Sequence, residues 1–176
     1  MAPKTFPFTF NNVYVRRKDR VVLVATDDES MLTDTPVSTL MLWDGDSWMS
    51  QVSCQSNGTA FALLANPETH MMLGKEGNVY LWGEDGELHK EQIDPTPHGP
   101  QNYGDLEDIR VIDGCAYVAG IARTVYVRGR NGIWKAIDQG IRDESKADVG
   151  FFSIDGFNEN ELYAVGLEGQ IAVYFE

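Results

Sequence analysis

Three histidines, His70, His89 and His98, and 27 acidic side chains are the groups in this sequence suited to hold a metal or move a proton. A zinc site needs such groups to converge on one point. His70 precedes an apolar strand, His89 falls on an outer strand and His98 lies in a proline-rich loop, so the pattern keeps the three apart and predicts no metal site. The acids cluster at Asp27-Asp28-Glu29, Asp44-Gly45-Asp46 and Asp105-Leu106-Glu107-Asp108. Asp-x-Asp can open a calcium loop, but the twelve-residue pattern with its closing Glu is missing. These acids therefore read as solvated turn residues. No Gly-x-Ser-x-Gly elbow and no phosphate-binding Gly-x-x-x-x-Gly-Lys-Ser/Thr loop occurs, and neither Cys54 nor Cys115 stands in a nucleophile setting. The expectation is a protein that is not an enzyme and uses no cofactor.

Binding residues are better sought in two insertions, because extra loops on a regular scaffold are where specificity usually sits. The first, Thr26 to Val37, is acidic and carries Met31 and Leu32 at its middle. The second, Asp94 to Gly104, holds three prolines, His98 and Tyr103. The candidate binding residues are Asp27, Asp28, Glu29, Met31 and Asp34 in the first, Asp44 and Asp46 in a nearby turn, and His98 and Tyr103 in the second.

The net charge is −13, from 27 acidic against 14 basic side chains. Phosphate binding needs a basic surface, so nucleic acid is not the expected ligand. The same charge would speed encounter with a basic protein. No apolar run of 18 residues exists, so no membrane span or membrane partner is expected. The stretch Met1 to Phe8 lacks the apolar core of a signal peptide, which predicts a cytoplasmic protein. Two cysteines are too few for a disulfide framework and read as buried reduced thiols.

Four short segments that would position these loops resemble one another. Leu23-Val24-Ala25-Thr26, Met72-Leu73-Gly74-Lys75, Val118-Ala119-Gly120-Ile121 and Ala164-Val165-Gly166-Leu167 each put Ala or Gly third, at intervals of 49, 46 and 46. A second apolar strand follows each, ending at Trp43, Trp82, Arg128 and Tyr174. Turns with Asp-Gly or Asn-Gly lead from the first three into a further strand, and such pairs favour the positive φ of tight hairpins. A strand also precedes each apolar segment, at Asn12–Arg16, Thr59–Leu63, Ile109–Ile112 and Phe151–Ile154. The stretch Gln139 to Val149 reads as a polar loop rather than a helix.

Four strands repeated every 46 or so residues predict an all-β fold, a β-propeller of four blades. The expected blades are about 12–54, 58–94, 108–138 and 150–176 plus 4–10, in a single domain 1–176. The small residues Ala25, Gly74, Gly120 and Gly166 are expected near the axis. The fourth repeat ends after its third strand at Tyr174-Phe175-Glu176. Its last strand would come either from Lys4 to Phe10, where Pro7 suits an edge, or from another chain. The chain would accordingly be a monomer, or a homodimer through open blade edges.

The run apolar-Gly-x-x-Gly-x-apolar-Tyr, then Asp/Asn-Gly, then Trp-x-x-Ile carries a family resemblance. Its first half stands at Gly74 to Tyr80 and Gly166 to Ile171, its second at Asn131 to Ile137. The pattern resembles the degenerate repeats of bacterial propellers similar to photosystem II assembly factors and to Asp-box (BNR) proteins, from Asn12 onward. The strict Asp-box spacing is only approached, at Asp44-Gly45-Asp46-Ser47-Trp48. The resemblance implies a propeller fold and no particular activity.

Three functions remain open. The first is a non-catalytic protein-binding propeller, in its sharper form an acidic inhibitor or immunity protein that caps a basic toxin such as a nuclease. The second is a carbohydrate-binding propeller that stacks sugars on Trp43, Trp48, Trp82 and Trp134. The third is one subunit of a larger ring.

Overall fold

The computed structural model describes residues 7–83, 85–143 and 149–175. Two compact units, Met1–Gly58 and Thr59–Glu176, are considered in turn.

The first unit contains β1 (Phe8–Arg17), β2 (Arg20–Asp27), β3 (Val37–Trp43) and β4 (Trp48–Gln55), paired in that order as one antiparallel meander. Period-2 alternation sets its faces. Val22, Val24, Leu40 and Leu42 are buried, whereas Val13, Val15 and Trp48 on the opposite face are exposed. The buried Thr26 and Ser38 hydroxyls bond each other at 2.8 Å, and Ser38 Oγ accepts the Gly58 N–H. That pairing satisfies polar groups that would otherwise be costly inside.

Strands β5 (Gly58–Ala65), β6 (Glu68–Gly74), β7 (Asn78–Gly83) and β8 (Leu88–Gln92) form the second sheet. The third is built from β9 (Leu106–Ile112), β10 (Cys115–Gly120), β11 (Val125–Arg128) and β12 (Trp134–Ala136). The last sheet has three strands among the described residues: β13 (Phe151–Asn158), β14 (Glu161–Gly166) and β15 (Ile171–Phe175).

Within the second unit each sheet packs face to face on the next. Met71, Leu73, Val79 and Leu81 meet Ala116, Val118 and Tyr126 in one core. On the other side of the third sheet, Tyr117, Ala119 and Val125 meet Ile154, Leu162 and Ala164 in a second core. At about 25 cal/mol per Å² of apolar surface, these two cores are the main stabilising contribution of the unit.

Several expectations are corrected here. Within the second unit the first strands of the third and fourth sheets, β9 and β13, lie against each other. Glycine is needed at Gly120 and Gly166 because the chain crosses between blades there. A Cβ on Gly120 would come within 2.6 Å of the Asp105 carbonyl, and one on Gly166 within 1.7 Å of the Gly150 carbonyl. The crossing recurs: Leu106 N–H donates to Lys75 O at 2.8 Å, and Ile121 bridges Gly150.

The proposed N-terminal closing strand is also revised. Phe8, Thr9 and Phe10 pair with Asp27, Thr26 and Ala25 in the first sheet, so they do not complete the fourth. Residues 4–6 lie outside the described residues, as do 144–148 of the polar loop. Finally, the acids from Asp105 to Asp108 are not all solvated turn residues. Asp108 is buried in β9, where its Oδ2 accepts the Ile154 N–H at 3.1 Å and the Ser153 hydroxyl at 2.9 Å. Burial raises the Glu107 carboxyl above its ordinary value. Asp105 pairs with Lys75 at 2.6 Å. Both cysteines are buried.

Candidate functional site

The β2–β3 insertion of the first unit is an ordered acidic loop with an apolar tip. Asp27 Oδ1 accepts the Ser30 N–H at 2.7 Å, while Ser30 Oγ donates to Asp27 O and accepts the Val37 N–H. This knot closes the loop and sets a single 3-10 turn, Ser30–Leu32. Asp28 Oδ1 accepts the Thr9 hydroxyl at 2.8 Å, and Asp28 N–H donates to Pro7 O. Asp27 and Asp28 therefore hold the loop together as well as charging it. The knot presents Met31 and Leu32 outward, Leu32 at 90% exposure, with Asp28, Glu29 and Asp34 exposed around them. An exposed apolar side chain in a charged rim has the form of a protein-contact anchor.

Asp44 and Asp46 do not join this surface. They lie in the turn at the other end of β3, seven residues away along the strand, which at about 3.3 Å per residue is roughly 20 Å. Asp44 caps that turn by accepting the Ser47 and Asp46 N–H groups, and these bonds hold its carboxyl below its ordinary value.

In the second unit the β8–β9 loop does bring His98 and Tyr103 together, with His98 Nδ1 3.2 Å from the Tyr103 hydroxyl. The loop is tightly wound: Asp94 Oδ1 accepts both the Thr96 N–H and hydroxyl, and Gln101 Nε2 donates to Thr96 O. Sequence reasoning missed the residue that anchors it. Arg142 donates to His98 O at 3.0 Å, lies 5.0 Å from the Tyr103 ring centroid, pairs with Asp138 at 2.7 Å and donates to the Tyr126 hydroxyl. Burial pushes the Tyr126 phenol up to about 12. Burial acts to lower Arg142, but the bonds to Asp138 outweigh it and its value is raised. No local signal in the polar stretch around Arg142 marks it, because its partners come from three separate segments.

A second, partly buried ion pair joins the sheets. Arg128 on β11 grips Glu91 on β8 with two bonds of 2.7 and 2.8 Å, and Trp134 Nε1 donates to the same carboxylate at 2.8 Å. Burial would raise Glu91, but the bonds from Arg128 and Trp134 prevail and hold it below its ordinary value.

The histidines stay apart in the described residues, each with its own role. His70 is buried on β6 between the Phe61 and Trp82 rings. His89 pairs with Asp85 at 3.0 Å, and this bond raises the imidazole and lowers the carboxyl. The ligand atoms of Asp85, Glu87 and His89 lie within 4.8 Å of one another, all exposed on the β7–β8 hairpin. Of the tryptophans proposed as sugar platforms, Trp43 lies against the exposed Trp48, Trp82 lies against His70, and Trp134 donates to Glu91. An apolar groove of about 610 Å³ runs between the third and fourth sheets, lined by Ile137, Ile141, Leu162, Ala172 and Tyr174 among others. None of the described helical turns is long and apolar enough to cross a membrane.

No protein-family model matches the chain. It is similar to the immune protein Tsi7 of Pseudomonas aeruginosa, 32% identical over 185 residues, covering 99% of this chain and 59% of that protein. It thus spans under two thirds of the length of the relative. Among solved structures it is similar to the computationally designed Ika4 protein, with a TM-score of 0.66, 16% identity, and coverage of 98% of this chain and 95% of that one. It is also similar to YCF48 from Cyanidioschyzon merolae, with a TM-score of 0.63, 14% identity, and coverage of 95% and 51%. Four successive antiparallel blade sheets and these neighbours make the fold of this chain a β-propeller.

Proposed function

We propose that this chain is a non-catalytic immunity protein that binds a basic protein toxin. The similarity to a protein named immune protein Tsi7 carries the reading. It is supported by the net charge of −13 and by the acid-rimmed Leu32 tip. In this reading Leu32 and Met31 supply the desolvated centre of the contact. Asp28, Glu29 and Asp34 supply attraction and on-rate. Asp44, Asp46, His98 and Tyr103 hold their own turns and loops.

Co-expression with the toxin tests it. The wild-type chain is expected to restore growth and to form a 1:1 complex. Leu32→Asp should weaken that complex by about 30-fold or more, since an anchor residue is worth about 2 kcal/mol or above, while leaving the fold intact. Equal protection by wild type and Leu32→Asp would move the contact elsewhere, and a partner as acidic as this chain would refute the charge argument.

A further inference from the structure

The second and third sheets are clamped at their outer margin by three side chains. Glu91 on β8 accepts from Arg128 on β11 and from Trp134 on β12. Trp134 and Ala136 face that gap and pack against its core. One 46-residue repeat later, Ile137 stands in place of Glu91 and Tyr174 in place of Arg128. The backbone agrees: Glu91 pairs with Val79, and Ile137 N–H donates to the oxygen of Val125, the counterpart of Val79. Between the third and fourth sheets the clamp has thus become apolar. Its third member has no counterpart, since no described strand lies beyond β15 in the fourth sheet. In that place runs the groove of about 610 Å³, lined by Val125, Ile137, Leu162, Ala172 and Tyr174. A cavity of about 340 Å³ adjoins it and shares Ile137, Leu162 and Tyr174. All of these residues belong to the second unit. Apolar interiors are close-packed, so an unfilled wedge of this kind is a place that a further side chain fits.

We propose that a partner protein completes the fourth blade by adding an extended, basic segment to the outer edge of β15. Strand β14 takes one edge of β15, and no described strand takes the other. In such an addition the backbone bonds supply affinity, and pockets for alternate side chains supply specificity. Strand β12 shows what the segment must carry. Trp134 lies opposite Arg128 and Ala136 opposite Tyr126. The added strand therefore needs a large apolar residue opposite Tyr174 and a small one opposite Ala172. The large one enters between Tyr174 and Ile137 and anchors the contact. Charge sets the flanks. The fourth blade carries Asp155, Glu159, Glu161, Glu168 and Glu176 and no Lys, Arg or His. Arg130 shares Glu159 at 3.9 Å, and Arg123 and Arg142 are paired with Asp143 and Asp138. Lys135 on β12 is set against Glu161, opposite Phe175, and Glu168, in the turn before β15, which bracket the strand. The margin stays acidic and favours a basic segment. The inference does not depend on the toxin-binding reading.

A fluorescein-labelled heptapeptide, Lys-Ile-Trp-Lys-Ala-Ile-Lys, tests this by fluorescence anisotropy. It sets the β12 sequence from Ile133 to Ile137 between two lysines. The wild-type chain is expected to bind it with a dissociation constant of about 100 μM or below. Because Ile137 N–H donates to β11, methylating the nitrogen of the peptide's second Ile removes a strand bond and should weaken binding about tenfold or more. Asp in place of the peptide's Trp should abolish binding, and Glu in place of its lysines should weaken it about tenfold. Ala172→Trp, which fills the groove from within, should abolish binding with an unchanged circular dichroism spectrum. No binding at about 1 mM peptide overturns the proposal. So does binding that the methylated peptide or Ala172→Trp leaves unchanged, or a Glu peptide that binds as well as the Lys one. Binding that appears only once residues 1–6 are removed would make the chain's own N-terminal segment the occupant, and overturns it too. If Ala172→Trp fails to fold, the peptide variants on the wild-type chain decide.

Discussion

Glu91 and Asp108 show what single carboxylates contribute when a blade closes on its neighbour. The Glu91 carboxyl lies below its ordinary value of 4.5 in the folded protein. A group depressed on folding adds stability above its unfolded value and loses it as pH falls through the folded one. The Glu91 contribution is therefore present at neutral pH and fades in acid below 4.5. Glu91→Gln is expected to cost about 1–3 kcal/mol at pH 7, measured by urea unfolding, with the gap from wild type narrowing near about pH 3. A gap that is constant with pH would show that the ion pair is not its source. Asp108→Ala strips the Ile154 N–H of its acceptor in a buried place and should cost about 2–3 kcal/mol with an unchanged m-value. Neither residue was legible in the sequence as a clamp. Arg128 and Glu91 stand 37 positions apart, and a pair that distant leaves no local periodicity. Asp108 sat in an acidic run whose composition suggested a wet turn, whereas its neighbours Leu106 and Ile109 are core residues.

At the scale of strands and turns the sequence was far more informative. The 46-residue spacing of Gly74, Gly120 and Gly166 located the second strand of three blades, and Asn131-Gly132 located a hairpin whose glycine has φ +79°. What the spacing could not tell was why the small residues recur. Alternation identifies a strand and its two faces, but says nothing of which strand is innermost. Close approach of the crossing chain gives the reason. Gly150 sits at that crossing, and an added Cβ would lie 2.4 Å from Ile121 Cα and 2.5 Å from Gly120 O, all backbone. Gly150→Ala is therefore expected to cost about 2–4 kcal/mol, read from the midpoint of thermal or urea unfolding. A change under about 0.5 kcal/mol would mean the crossing yields easily. The N-terminal strand was misassigned for a related reason. Lys4 to Phe10 has strand composition, and composition does not name the partner. The pairing of Phe8 with Asp27 does.

For the molecule as a whole, the propeller and its acidic character could be read from the sequence, and the similarity to an immune protein agrees with one of the functions it suggested. The candidate site was legible only in part. Composition grouped Asp27 to Asp34 with Asp44 and Asp46, although β3 separates them, and it named Leu32 at the middle of the loop without taking it as a binding residue, because its 90% exposure depends on the Ser30 knot. The central claim is that this chain recognises a basic protein toxin through the acid-rimmed Leu32 loop. Calorimetric titration of the toxin with the wild-type chain, with Leu32→Asp and with an Asp28, Glu29 and Asp34 triple-Asn variant tests it most directly, at about 0.05 M and 0.3 M salt. The account predicts a 1:1 complex whose affinity falls roughly tenfold or more with salt, is lost in Leu32→Asp, and loses most of its salt dependence in the triple variant. Binding that is unaffected by both salt and the loop substitutions would contradict it.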